Sequence, residues 1–163
     1  MTDMTDFSDL SGSLPDDETY RASLAAPRLE ERFPGLTFER DLDKHRGWGS
    51  VPVQAYATRG DQRLYFRFRQ NTATLSVWSI DTPVSEYGLP LDDPDLYATI
   101  HDVVPGDTYL GFLTPDQAFE LFVRLMDELS PPDPETNPTY RHRMDKAMAY
   151  FRARDAAREA AGE

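Results

Sequence analysis

Three consecutive segments between residues 51 and 78 alternate apolar with polar side chains, and short turn-forming stretches separate them. A period of two is typical of a strand with one buried face. The turns at Gly60-Asp61 and near Asn71 are short enough for two-residue hairpin loops. Such loops keep all three apolar sets on one face, because a shift of one residue would turn a whole set outward. The inward residues are Val51, Val53, Ala55, Ala57, Leu64, Phe66, Phe68, Ala73, Leu75 and Val77.

The opposite face of this meander mixes arginines with aromatics, as in RLYFRFRQNTATLSVW. Arg67 and Trp78 are candidate binding residues there, since sheets that bind single strands stack bases on aromatics and hold phosphates with arginines. The chain as a whole opposes that function, because 29 acidic against 17 basic residues give a formal charge of −12. We therefore interpret the face as solvated cross-strand pairs, or as a dock for the acidic N-terminal segment, and predict no direct nucleic-acid binding. Its members are Gln54, Tyr56, Tyr65, Arg67, Arg69, Thr74, Ser76 and Trp78.

Capping signals predict the first helices. Thr114-Pro115-Asp116-Gln117 is a capping box with proline at the first helical position, and apolar residues follow at helical spacing. The stretch PRLEERF predicts a short helix that Pro34-Gly35 ends. Residues 94–104 have helical spacing with Asp93 as the cap, although their β-branched residues leave a strand open as the alternative. Residues 109–113, YLGFL, suit a short strand.

A final helix follows the proline-rich connector SPPDPETNP and begins at residues 137–138. Its apolar residues recur at helical spacing, which is more typical of a core face than of a docking surface. Methionine-rich faces also serve as adaptable docking surfaces, and we keep that alternative. The stripe consists of Tyr140, Met144, Ala147, Met148 and Phe151.

These patterns predict a two-layer α+β domain in which helices cover an antiparallel meander of three to five strands. A chain of 163 residues is long enough to bury the core of one such domain. We expect residues 1–14 to be a mobile acidic tail, residues 15–130 to form the α+β domain, and residues 131–163 to be a connector and a C-terminal helix packed on it.

Acidic residues dominate the middle of the chain. Between Arg69 and Arg124 there is no lysine or arginine, so that interval is expected to present a negative surface to a partner with a basic surface. Within it, Asp92, Asp93 and Asp95 are the first candidates for contact. The nine acids of the interval are Asp81, Glu86, Asp92, Asp93, Asp95, Asp102, Asp107, Asp116 and Glu120.

The stretch ERDLDKHRGWG is the strongest candidate for chemistry. If it is extended, a period of two places Glu39, Asp41, Asp43 and His45 on one side, and these are ligands for a divalent metal or groups for acid–base work. A metal-dependent hydrolase is therefore the alternative function. The competing interpretation is a polar strand end, with Trp48 folding back onto the body as a candidate binding residue beside His45. We predict no metal and no cofactor, since the sequence has no phosphate-binding loop, nucleophile elbow or dinucleotide fingerprint.

The absence of cysteine is typical of a protein from a reducing compartment and excludes thiolate metal sites and cysteine nucleophiles. The segment MTDMTDFSDLSGSLPDDE has six acids and no base, the reverse of a signal or transit peptide. No apolar run is long enough to span a bilayer. We therefore expect a cytoplasmic protein without a membrane partner.

The run from His45 to Trp78, followed by GFLTPDQAFELF, resembles the uncharacterised small α+β accessory proteins encoded by phages of actinobacteria. The resemblance covers roughly residues 36–130. That family has no established catalytic residues, so what the resemblance implies is a non-structural protein acting in the host cytoplasm by binding something. Together with the charge pattern, this favours a non-enzymatic protein-binding accessory protein. It would inhibit or modulate a host protein through its acidic surface, for instance by mimicking nucleic acid.

Overall fold

A computed structural model gives the conformation of residues 22–39, 49–50, 53–106 and 113–163. Within these ranges a 3₁₀ turn, Ala22–Ala25, precedes three helices. The helices are α1 (Ala26–Arg32), α2 (Pro115–Glu128) and α3 (Tyr140–Ala160). The strands are β1 (Leu36–Phe38), β2 (Gly49–Ser50), β3 (Val53–Arg59), β4 (Gln62–Arg69), β5 (Thr72–Ser79) and β6 (Leu96–Ile100).

One open antiparallel sheet contains all six of these strands, in the order β1-β3-β4-β5-β6, with the two-residue β2 also paired to β3. The predicted α+β class and the β3-β4-β5 meander are confirmed. Gly60 has a φ of +60°, and Gln70 and Asn71 have φ values of 50° and 58°, as tight hairpin loops require. These turns place Phe66 opposite both Ala55 and Leu75.

The apolar face of the sheet is buried under α1 and α2. Phe122 of α2 is at the centre of this core, with ring centroids 6.1 Å from Phe33, 5.5 Å from Phe38 and 5.8 Å from Phe66. The capping box that begins α2 is formed as predicted, with the Gln117 amide nitrogen donating to Thr114 Oγ1 at 3.2 Å and the Thr114 amide nitrogen donating to Gln117 Oε1 at 3.0 Å. The orientation of the meander is confirmed, because Phe68 is fully buried in this core while Arg67 faces the other side.

The helix expected within residues 94–104 is wrong, because the segment forms strand β6. Pairing with β5 determines this outcome, since Ala98 and Ile100 join the core by alternation and not by helical spacing. Tyr97 also exchanges backbone hydrogen bonds with Ser130 on the outer side of β6. Asp93 caps no helix there and contacts the start of α3 instead.

The expectation that the outer face of the meander is solvated is wrong for three of its aromatics. Tyr56, Tyr65 and Trp78 form a second buried cluster, and Trp78 is only 1% exposed. The reason is the segment between β5 and β6, which folds back across this face and places Leu89 on the cluster. The Tyr56 hydroxyl donates to the Tyr87 carbonyl of that segment at 3.1 Å.

The interpretation of the α3 stripe as part of the core is also wrong. The structure describes every residue of α3, and none of the 21 is buried. Tyr140, Met144, Met148 and Phe151 are between 43% and 65% exposed. Helix α3 contacts the rest of the protein through its first turns and presents its apolar stripe to solvent.

Several expectations fall outside the described residues: the acidic tail at 1–14, Val51, the first four residues of the strand predicted at 109–113, and the residues Asp41, Asp43, His45 and Trp48. Leu113, the last residue of that predicted strand, is described and lies in no strand. No helix in the described ranges combines the length and apolarity that crossing a bilayer requires.

Candidate functional site

A groove of about 790 Å³ lies over the outer face of β4, β5 and β6. One wall is formed by residues 89–94 of the segment that covers the second cluster, and the other by residues 139–144 at the start of α3. The floor is the half of the sheet face that this segment leaves open. Its residues are Tyr65, Arg67, Arg69, Gln70, Thr72, Thr74, Ser76, Tyr97 and His101.

A contact between Asp93 and His142 joins the two walls. The His142 Nε2 atom lies 2.8 Å from Asp93 Oδ2, and the Thr139 hydroxyl donates to Asp93 Oδ1 at 3.3 Å. The Thr139 amide nitrogen donates to His142 Nδ1 at 3.2 Å. Because Nδ1 is an acceptor, we assign the ring proton to Nε2, which donates a hydrogen bond to Asp93 Oδ2. Arg141 reinforces the contact by donating to the Leu91 carbonyl.

The connector before α3 is tied to the edge of the sheet. Asp133 accepts hydrogen bonds from the Glu135 and Thr136 amides, each at 2.8 Å, and these bonds lower the pKa of its carboxyl group. The Asn137 side-chain amide donates to the Tyr97 carbonyl at 2.9 Å and to the Ser130 carbonyl at 3.2 Å. These bonds position Thr139 where it can cap α3 and meet Asp93.

Arginines dominate the charge of the groove. Four of them line it, two from β4 (Arg67 and Arg69) and two from the first turn of α3 (Arg141 and Arg143). Arg143 Nη1 lies 3.4 Å from His101 Nε2, which connects α3 to the end of β6. The Nε atom of Arg67 is buried and has no hydrogen-bond partner within the described residues.

Two tyrosines beside Arg67 keep their protons well above neutral pH. Burial raises the pKa of Tyr65 to about 12, against an opposing effect of the Arg67 charge. Burial also raises the pKa of Tyr97, although the nearby charges of Arg143 and Arg67 oppose the shift. Both phenols are therefore neutral and have no acidity suited to proton transfer at neutral pH. The Tyr65 hydroxyl donates to Gln54 Oε1 at 3.2 Å.

The structure brings together some of the predicted site residues and separates others. Arg67, Asp92 and Asp93 all line the groove. Asp95 does not, because its carboxylate accepts a hydrogen bond from the Ser79 amide at 3.1 Å at the end of β5. Trp78 supports the covering segment from below and exposes almost no surface for a partner.

Sequence reasoning missed Arg141, His142 and Arg143. A signal was available, because the first turn of α3 contains no acidic residue and carries cations at the positive end of the helix dipole. Cations at this end lower the stability of a helix, which indicates that these arginines serve another purpose, such as binding. Their position above the sheet depends on the contact with Asp93, which local patterns do not reveal.

Of the four residues predicted for a metal-dependent hydrolase, only Glu39 lies within the described ranges. Glu39 Oε1 lies 4.0 Å from Arg63 Nη1, and the Glu39 amide donates to the Tyr56 carbonyl at 2.8 Å. No group of three His, Cys, Asp or Glu side chains suited to a metal occurs among the residues the structure describes. The role of Asp41, Asp43 and His45 stays a prediction.

The acidic interval is accessible at every position that the structure describes. Asp93, Asp95, Asp102 and Asp116 are engaged in contacts within the chain, whereas the others are available to solvent. The eight exposed acids are Asp81, Glu86, Asp92, Asp93, Asp95, Asp102, Asp116 and Glu120.

No family model matches the chain, and comparisons with curated proteins and with solved structures also found no match.

Proposed function

We propose that this protein is a non-enzymatic binding protein that docks a partner protein along α3. The observation that carries the proposal is a 21-residue helix with no buried residue and an exposed apolar stripe. Helices in proteins gain most of their stability from packing one face against a neighbour. Helix α3 has such a face and contacts the body of the protein only at its start.

The stripe is suited to a protein surface. Tyr140, Met144, Met148 and Phe151 lie on one side of the first three turns, which is a length of about 16 Å. Burying each of these side chains contributes roughly 1.5–3 kcal/mol to association before the costs of binding. Methionines adapt their shape to a partner, and aromatic residues are enriched where binding energy concentrates.

Charge indicates which partner fits. Six basic residues of α3 (Arg141, Arg143, Lys146, Arg152, Arg154, Arg158) oppose three acidic ones (Asp145, Asp155, Glu159), so the helix is a basic element in an acidic chain. A partner with acidic residues around an apolar patch complements it. A second copy would bring two basic helices together. A membrane surface is disfavoured because Arg154, Asp155 and Arg158 continue the apolar side of the helix.

The acidic remainder of the chain discriminates between classes of negatively charged partner. A polyanion such as nucleic acid is attracted to α3 but repelled by the body of the protein, whereas a partner that is acidic only at its contact patch avoids much of that repulsion. Contact of the acidic interval with a basic surface, including mimicry of nucleic acid, stays a prediction. Asp92 is its best candidate, because Asp93 and Asp95 bind within the chain.

The resemblance to accessory proteins of actinobacterial phages suggests where the partner is found. We place the protein in the cytoplasm of a host cell, where occupation of a partner's surface inhibits or modulates that partner. This role requires no chemistry from the groove or from residues 39–45.

The test begins with a photo-crosslinking amino acid at Met148, which is exposed on the stripe, and a control at exposed Glu120 on α2. A host protein crosslinked only from Met148 is then purified, and its affinity for the intact protein is measured. The double variant M144D/M148D is expected to weaken binding by about a hundredfold or more. The matched control, A149D/A153D, adds the same charges to the other side of α3 and is expected to change affinity by less than about threefold.

Three results would contradict this proposal. Equal loss of affinity in both double variants would show that charge and not the stripe carries binding. If the contact patch of the partner were rich in lysine and arginine, the acidic interval and not α3 would be the binding surface. A sedimentation mass of twice 18.6 kDa that M148D halves would replace the partner with a second copy of the chain.

A further inference from the structure

We propose that the groove between residues 89–94 and the start of α3 binds a small organic anion with several phosphate or carboxylate groups. This site differs from the α3 stripe in ligand and chemistry, although Tyr140 and Met144 border both. Its volume of about 790 Å³ lies within the range of roughly 300–1,000 Å³ typical of small-molecule sites.

The arrangement of charged side chains gives the groove a preference for anions. Four arginines line it, against Asp92 and Asp93. The Asp93 carboxylate already accepts hydrogen bonds from His142 Nε2 and the Thr139 hydroxyl, so its oxygens are committed to holding the walls together. Arg67 and Arg69 approach from the sheet and Arg141 and Arg143 from the helix, so a bound anion is contacted from two sides.

Arg67 provides the strongest single indication of a ligand. Its Nε atom is shielded from solvent and makes no hydrogen bond to any described residue. A buried donor on a charged group is costly when it is unpaired, and native proteins usually satisfy such atoms. Guanidinium groups match carboxylate and phosphate oxygens through paired hydrogen bonds, so an anion that displaces the side chains shielding this atom would satisfy the donor.

The surrounding side chains complete the site for an anion. Tyr65 and Tyr97 line the floor as neutral phenols, since burial keeps the pKa of both groups above the ordinary value for tyrosine. Thr72, Thr74 and Ser76 add hydroxyl groups along the same face of β5. The four arginines line more than one wall of this volume, and a single phosphate occupies only part of it, which favours a ligand with at least two anionic groups.

The experiment titrates the intact protein with pyrophosphate, citrate, inorganic phosphate and acetate by calorimetry, in about 150 mM sodium chloride to screen surface charge. Pyrophosphate or citrate is expected to bind more tightly than inorganic phosphate, and acetate most weakly. Preference for pyrophosphate would identify a phosphate ligand and preference for citrate a carboxylate ligand, and both results support the proposal. The variants R69Q and R141Q are each expected to weaken binding by roughly tenfold.

The matched control is R152Q, which removes the same charge from α3 outside the groove. It is expected to change affinity by less than about twofold, because only screened long-range attraction is lost. R67Q is tested as a third variant after its folding is checked by circular dichroism. If R67Q does not fold, R69Q decides the result, because Arg141 also donates to the Leu91 carbonyl and its loss loosens the walls of the groove. Absence of heat with all four probes at millimolar concentration, or equal weakening by R152Q and R69Q, would overturn the proposal.

Discussion

The side chains of Asp93 and His142 meet at 2.8 Å and hold the loop before β6 against the first turn of α3. Thr139 joins the same contact through its hydroxyl group. The arrangement makes one carboxylate a brace between two walls of the groove, although it lies in an interval that the sequence marks as an interaction surface.

Replacing Asp93 with alanine is therefore expected to loosen the start of α3. Because the pair is partly exposed, we expect only about 1 kcal/mol of lost stability, concentrated locally. Amide hydrogen exchange should accelerate at residues 140–143 and stay unchanged in the core strands. D92A is the matched control, since Asp92 lines the groove outside this contact. Equal acceleration in both variants would contradict the bracing role.

Phe122 is expected to contribute more stability than any exposed aromatic. It is fully buried and contacts the rings of Phe33, Phe38 and Phe66, so F122A should lower the free energy of unfolding by about 3–5 kcal/mol in urea titrations. F151A removes the same atoms from the exposed stripe and should change that free energy by no more than about 0.5 kcal/mol. A large loss from F151A would show that the stripe packs within the protein.

Asn71 fixes the loop after β6 to the β4-β5 turn. Its side-chain amide donates to the Val104 carbonyl and to Asp102 Oδ1, and its side-chain oxygen accepts from the Val104 amide at 2.7 Å. N71A should lower the free energy of unfolding by about 2–4 kcal/mol, because it leaves buried groups unpaired and strains a residue with a φ of 58°. N71G relieves the backbone strain and should lose less. Equal losses would exclude a contribution from strain.

Tyr65 should make stability depend on alkaline pH. Its pKa is about 12 in the folded protein and near 10 when unfolded, so the folded state holds the proton more tightly. This contribution is complete below pH 10 and is lost as pH rises toward 12, a change of up to about 3 kcal/mol. The slope of unfolding free energy between these pH values should flatten in Y65F. The control variant Y150F, at an exposed tyrosine, should keep the slope of the wild-type protein. An unchanged slope in Y65F would contradict the role of Tyr65 in this pH dependence.

Removing residues 138–163 is expected to leave a folded domain, because α3 contributes no buried residue. The loss should be limited to the contacts of Thr139, Arg141 and His142 with the loop before β6. Near-ultraviolet circular dichroism and a single cooperative unfolding transition are the measurements. Loss of cooperativity in the truncated protein would place α3 within the folding unit.

Local patterns were sufficient for the meander and for α2. The alternation around Phe66 and the capping box at Thr114 each act within a few residues, so their information lies in the sequence itself. The segment that forms β6 fits two interpretations because Leu96 and Ile100, four residues apart, share a face in a helix and also in a strand, and only pairing with β5 decides between them.

The groove was less accessible to sequence reasoning. Arg67 was identified from the face of the strand, but one wall of the groove above it is formed by residues 89–94, a segment that has no periodic pattern. Arg141 and Arg143 come from a helix more than 70 residues away in the chain. Single contacts, such as that of Asp93 with His142, hold them near the sheet. The spacing of residues in the sequence does not predict contacts of this kind.

The backbone pairing of Tyr97 with Ser130 has a consequence for behaviour at high concentration. Strand β6 borders the sheet, and an open border of this kind can recruit a strand from another molecule. Tyr97 is the second residue of this five-residue strand. Its outward N–H donates to the Ser130 carbonyl, and its outward carbonyl accepts hydrogen bonds from the Ser130 amide and the Asn137 side-chain amide. The connector thereby blocks the addition of another strand at this position of β6.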